Sequence, residues 1–171
     1  GYLFAKVFYR KNLLEIGSGK IGMTNVIRAT NVKIGILVLI CDVGKGSLAV
    51  LISQWLVDSA FVMVLSGIAV NVGHNWSILL KFRGGRGVLT AAGSMLVMIP
   101  PATILGGIIG LTVIAVTKYG SLGSFSAMTT AFIVAIIGIS LGYYDSTYLV
   151  YAIFMFCFLI LRHKDNMGRL A

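Results

Sequence analysis

Of 171 residues, 58% are hydrophobic and 11% are charged, whereas a soluble domain carries about 25% charged residues; a water-facing surface cannot be built from this composition. The formal net charge is +9, from 14 Lys and Arg against 5 Asp and Glu. In so apolar a chain that excess points to positive-inside loops and to anionic headgroups or substrates, and away from a nucleic-acid partner.

The chain opens on Gly1–Tyr9, a short amphipathic stretch that reads as the remnant of a longer first helix. A polar, glycine-rich segment follows, Arg10–Lys33. Apolar runs then span Ile34–Trp55 and Val57–Val72, before a basic, glycine-rich loop, Gly73–Gly87. The run Val88–Ile99 is too short to cross a bilayer at about 1.5 Å per residue, which predicts a re-entrant or half-buried helix. It stops at Pro100-Pro101, a pair that interrupts helical hydrogen bonding. Further runs cover Ala102–Thr117, Phe125–Leu141 and Tyr148–Leu161, separated by polar turns at Lys118–Ser124 and Gly142–Thr147, and a basic tail, Arg162–Ala171, closes the chain. Backbone groups in lipid must be satisfied internally, so these runs are helices. The expected fold is all-α: a polytopic membrane bundle of seven helices in one domain, the first truncated.

If the chain changes side after each run, segments 10–33, 73–87, 118–124 and 162–171 share one side and hold nearly all the Lys and Arg. The opposite turns hold none. The positive-inside rule makes the basic side cytoplasmic.

The motifs all lie there. In Glu15–Arg28 the pattern Gly17-x-Gly19-x-x-Gly22 formally matches a dinucleotide fingerprint, but the α/β unit that fingerprint needs is absent. Its glycines can still turn backbone N–H groups toward an anion, with Ser18, Thr24 and Asn25 as neutral donors and Arg28 as a bidentate one; a plain juxtamembrane loop is the alternative. The second stretch, His74 to Gly87, carries Lys81, Arg83 and Arg86 around Gly84, Gly85 and Gly87 at the start of a helix, an arrangement suited to a phosphate or oxyanion. His74 ends an apolar run, where a structural histidine is as natural as a catalytic one. In the third, His163 and Asn166 share a helix face, although a stop-transfer cluster would look similar. Ser121 and Ser124 sit beside glycines in what is either a phosphate contact or a turn. Asp42 and Lys45 lie within an apolar run, as an intramembrane ion pair would. Cys41 and Cys157 read as small buried hydrophobes.

No Gly-x-Ser-x-Gly elbow occurs, neither histidine opens a His-x-x-x-x-Asp pattern (positions 79 and 168 are Leu79 and Gly168), and no carboxylate cluster suggests a metal. Several phosphate-type sites remain, with no cofactor or metal implied. An organic-phosphate transporter and a lipid-binding scaffold are the rival classes, although no clear internal repeat supports the first.

These stretches resemble the bacterial membrane glycerol-3-phosphate acyltransferases that use acyl phosphate, the PlsY family. The resemblance rests on Gly17-Ser-Gly-x-x-Gly-x-Thr-Asn-Val-x-Arg28, on Gly73-His through Lys-Phe-x-Gly-Gly-x-Gly87, and on His163-x-x-Asn166-x-x-Arg-Leu170. It implies a seven-helix, multi-pass inner-membrane enzyme with its active site toward the cytoplasm. The implied reaction moves an acyl group from acyl phosphate to glycerol 3-phosphate, giving lysophosphatidate and phosphate. By position, Ser18, Thr24, Arg28, Ser124, His163 and Asn166 would bind phosphate, Gly84, Gly85 and Gly87 would form an anion cradle, and Arg86 would take the place of a family lysine. Ser18, Arg86, His163 and Asn166 are the expected catalytic set; Asn25, His74 and Lys81 complete the substrate contacts. Lys20, Met23, Arg83 and Trp76-Ser77 depart from the family pattern. A monomer in contact with membrane lipid is expected.

Overall fold

A computed structural model describes residues 1–167, with side chains to residue 162. Among the described residues there are eight α-helices and no strand: α1 (Tyr2–Tyr9), α2 (Met23–Ala29), α3 (Val32–Val57), α4 (Ala60–Asn75), α5 (Val88–Met98), α6 (Pro100–Thr117), α7 (Gly120–Ser140) and α8 (Tyr148–Met167), with a 3₁₀ turn at Ile78–Leu80. Four segments are long and apolar enough to cross a membrane: Val32–Val57, Ala60–Leu80, Pro100–Thr117 and Gly120–Ser140.

Three boundaries depart from the sequence expectation, each for an identifiable reason. The segment 10–33 contains a helix, α2, which tertiary contacts hold in place: Val26 and Ala29 are buried with Leu13 and Val38. The proline pair does not precede α6 but begins it, where a missing N–H costs nothing. Ile99, the residue before it, is accordingly extended (φ −141, ψ 76) and forms the break with α5. The expected turn at 118–124 shrinks to Lys118 and Tyr119, because α7 already begins at Gly120. Its first turns pack against α6 so closely that a Cβ on Gly110 would lie 2.8 Å from the Gly123 carbonyl oxygen. Small residues allow that approach in lipid, where dispersion and not the hydrophobic effect joins helices.

Eleven residues make α5 about 16 Å long, roughly half a bilayer's hydrocarbon thickness. It lies against α3; a Cβ on Gly93 would sit 2.0 Å from the Val43 carbonyl oxygen. A chain of hydrogen bonds links three elements within the bundle. The Asn71 amide donates to the Gly67 carbonyl at 2.9 Å and to the Tyr151 hydroxyl at 3.1 Å, and that hydroxyl donates to the Ala91 carbonyl at 3.3 Å. Buried Val64, Met95, Met98, Ile99 and Met155 pack around them. Cys41 and Cys157 are exposed, not buried as expected, and are free thiols.

Candidate functional site

The loop before α2 is organised by one side chain. Asn25 is buried, and its amide donates to the carbonyls of Leu13 (3.2 Å), Ile16 (2.9 Å) and Lys20 (2.8 Å). Its Oδ1 accepts the Ser18 N–H at 3.2 Å. Asn25 was expected among the phosphate donors; here its carboxamide is committed to shaping the loop. Gly17 and Gly19 take positive φ (59 and 64), and the Gly19 N–H donates to the Ile16 carbonyl. The Ser18 and Gly19 N–H groups therefore serve the loop, and what it presents outward is the Ser18 side chain and Lys20.

The second loop is shaped by contact with the end of α4. A Cβ on Gly84 would meet the carbonyl oxygens of His74 (2.3 Å) and Asn75 (2.5 Å), and one on Gly85 would meet His74 Nε2 at 2.2 Å. Both positions are buried. The Gly85 N–H donates to the His74 carbonyl at 3.3 Å, so the expected cradle of main-chain donors is in part spent on holding the loop to α4. Gly87, at φ 78, caps α5.

Beneath this loop lies a partly buried polar cluster. Lys45 Nζ donates to Asp42 Oδ1 at 2.6 Å, which is the ion pair expected from the sequence, and lies 2.6 Å from His74 Nδ1. An ammonium beside Nδ1 makes that atom the acceptor, which leaves the ring proton on Nε2, facing Gly85. His74 thus acts on the loop from below.

Above it the two loops and α8 border an open cavity of about 310 Å³, lined by Ser18, Gly19, Lys20, Arg83, Gly84 and Arg162, together with Leu14 and Phe82. Among the described residues its wall holds three cations and no carboxylate, which makes it complementary to a phosphate. Arg162 also ties α8 to the loop: its Nη2 donates to the Gly85 carbonyl at 2.8 Å, and its guanidinium stacks 5.3 Å from the Trp76 ring centre.

The expected residues divide accordingly. Ser18 and Gly84 meet in the cavity wall. Thr24 and Arg28 are exposed on α2 and do not line the cavity: Arg28 Cδ lies 3.9 Å from where a Gly17 Cβ would be, and Thr24 Oγ1 is 3.3 Å from one on Gly120. Ser124 is one turn into α7, its hydroxyl donating to the Gly120 carbonyl at 2.9 Å. Arg86 is half-buried between the glycines, and Lys81 is exposed at the end of the 3₁₀ turn (φ 52). The side chains of His163 and Asn166 lie outside the described residues. Lys20 and Arg162 are not among the residues expected from the sequence to bind substrate, and Arg83 is expected only as one of three cations beside the second loop; their place in basic segments is the signal that could have found them.

A family model described as glycerol-3-phosphate acyltransferase matches residues 1–171. A protein of that name from Thermoanaerobacter sp. (strain X514) is 36% identical over 170 residues, covering 99% of this chain and 83% of the relative. One from Halalkalibacterium halodurans is 36% identical over 172 residues, with the same coverage. Among solved structures, the crystal structure of PlsY (YgiH), an integral membrane glycerol 3-phosphate acyltransferase, in its glycerol 3-phosphate form superposes with a TM-score of 0.86 at 32% identity, covering 98% of this chain and 84% of that one. Its lysophosphatidic acid form gives 0.84 at 33% identity, covering 98% and 83%.

Proposed function

From the premise that this chain belongs to the glycerol-3-phosphate acyltransferase family, we propose that it draws its acyl group from acyl phosphate, releasing inorganic phosphate and lysophosphatidate as a first step of phospholipid synthesis. The observation that carries this reading is the cation-lined cavity whose wall holds Ser18, Lys20, Arg83, Gly84 and Arg162. The solved relatives named for their glycerol 3-phosphate and lysophosphatidic acid forms support the same acceptor and product here.

An acyl phosphate is already activated, so catalysis needs positioning and charge stabilisation more than a protein nucleophile. The glycerol hydroxyl oxygen attacks the acyl carbonyl carbon, the carbonyl–phosphate C–O bond breaks, and the hydroxyl proton passes to a phosphate oxygen. Ser18 and the cavity cations hold one phosphate; Thr24, Arg28 and Ser124, with Arg86, hold the other. His163 and Asn166 tune the proton transfer, while Asn25 and His74 keep the two loops in place and Lys81 adds positive potential at the entrance. The bulk of the Lys and Arg on the side of this cavity supports a cytoplasm-facing site in a bacterial inner membrane. The enzyme acts as a monomer, without cofactor or metal.

The test is purified protein in detergent with acyl phosphate and glycerol 3-phosphate. Phosphate release matched by lysophosphatidate is expected, and Arg28→Ala should lower it by about a hundredfold or more. Near-normal activity in a folded Arg28→Ala protein would remove Arg28 from the site. Labelled glycerol 3-phosphate entering liposomes with no product formed would instead identify a transporter.

A further inference from the structure

A second cavity, about 220 Å³ and apolar along nearly its whole wall, lies between α5, α6 and α7. Its wall starts at Val88, the residue after the Gly87 cap, and includes Ser124 at the same end. Farther in it is lined by Met95 and Thr103. A ligand with its anionic head on the two loops therefore has one apolar trough into which a tail can follow.

On the α6 wall stand Gly106, Gly107 and Gly110. Helix packing accounts for two of them: a Cβ on Gly106 would lie 2.5 Å from the Ala127 carbonyl oxygen, and one on Gly110 would lie 2.7 Å from Ala127 Cβ. Gly107 is different. Nothing lies within 4 Å of an added Cβ, and the position is exposed. Glycine is disfavoured within a helix, and here no neighbouring helix requires it. What its missing side chain leaves open is the trough, roughly 10 Å along α6 from Ile114 at the mouth.

We infer that Gly107 is the length gauge of this enzyme: the acyl tail of the substrate enters beside Ser124 and runs over Gly107, so a side chain at 107 sets how long a tail is accepted. The inference rests on the acyl-transfer reading for its substrate and on the trough alone for its geometry.

The experiment replaces Gly107 by Ala, Leu and Phe and measures kcat/KM with palmitoyl phosphate and with decanoyl phosphate. The ratio of long to medium chain should fall in that order, by about tenfold or more at Phe, as expected for lost apolar contacts in a shaped pocket. A ratio that stays constant along the series, whether or not overall activity falls, would overturn the inference. A second readout needs no turnover. In a Cys41→Ser, Cys157→Ser background, the thiol introduced by Gly107→Cys is labelled with a membrane-permeant maleimide. A palmitoyl phosphonate should protect it more than a decanoyl phosphonate does. That protection in a protein that transfers no acyl group would retain the gauge and reject acyl transfer. Turnover without protection, or protection by bilayer phospholipid alone, would retain the enzyme and reject the gauge.

Discussion

The two glycine-rich loops line one cavity but are held in opposite ways. The loop at residues 16–20 hangs from a single side chain, the Asn25 carboxamide, and its glycines serve backbone conformation, with φ of 59 at Gly17 and 64 at Gly19. The loop at residues 81–87 is pressed onto the end of α4, and Gly84 and Gly85 serve volume: there is no room for a Cβ between the loop and His74–Asn75. Similar composition therefore has two physical causes. The first loop should fail when one hydrogen-bonding group is removed, and the second when a methyl group is added.

Gly84→Ala should have the largest effect, because the atoms it meets belong to the backbone at a buried helix end. Overpacking there should cost about 1–3 kcal/mol of stability, read by thermal melting in detergent, together with a loss of most phosphate release. Full activity and an unchanged melting temperature would show that the loop is not clamped to α4. Asn25→Ala comes next. It strands the Ser18 N–H and three carbonyls, at about 1–3 kcal/mol if water cannot reach them, and activity should fall by about tenfold or more. Asn25→Asp keeps the acceptor and loses the donors, so an intermediate result would locate the loop's support in both halves of the amide.

Arg162→Ala removes a contact shared by α8 and the second loop. The KM for glycerol 3-phosphate should rise by roughly tenfold, more than kcat falls, as expected for a lost charge-assisted contact. Arg162→Lys restores the charge but not the planar fork, and should recover only part of the loss. The smallest effect belongs to Lys20→Ala and Arg83→Ala: a few-fold rise in KM that shrinks as salt is added, because cations at an open cavity are screened. A salt-independent effect of either would place that cation in a dry contact with substrate.

The apolar spans were legible in the sequence because hydropathy is a sum over neighbouring residues. The Asp42–Lys45 pair was legible too, since i,i+3 spacing on a helix brings two side chains together. Other features were hidden. Helix α2 could not be seen, because a seven-residue helix is not stable alone and is held by Asn25 and by packing on Leu13 and Val38. The partnership of His74 with Lys45 joins two helices, and nothing at either position announces it. Asn25 looked like any other polar residue of a phosphate loop until its four hydrogen bonds were in view.

By itself, then, the sequence determined the all-α membrane architecture, the side on which the basic segments gather and the residue types that can meet phosphate. These follow from the cost of placing charge and unpaired backbone in hydrocarbon, which acts on each segment separately. Only the tertiary structure decided which cations share the cavity, which glycines answer to a neighbouring backbone and which one opens onto the apolar trough. Those depend on approaches of a few ångströms between residues far apart in the chain, where one carbonyl oxygen or one absent methyl group determines what fits.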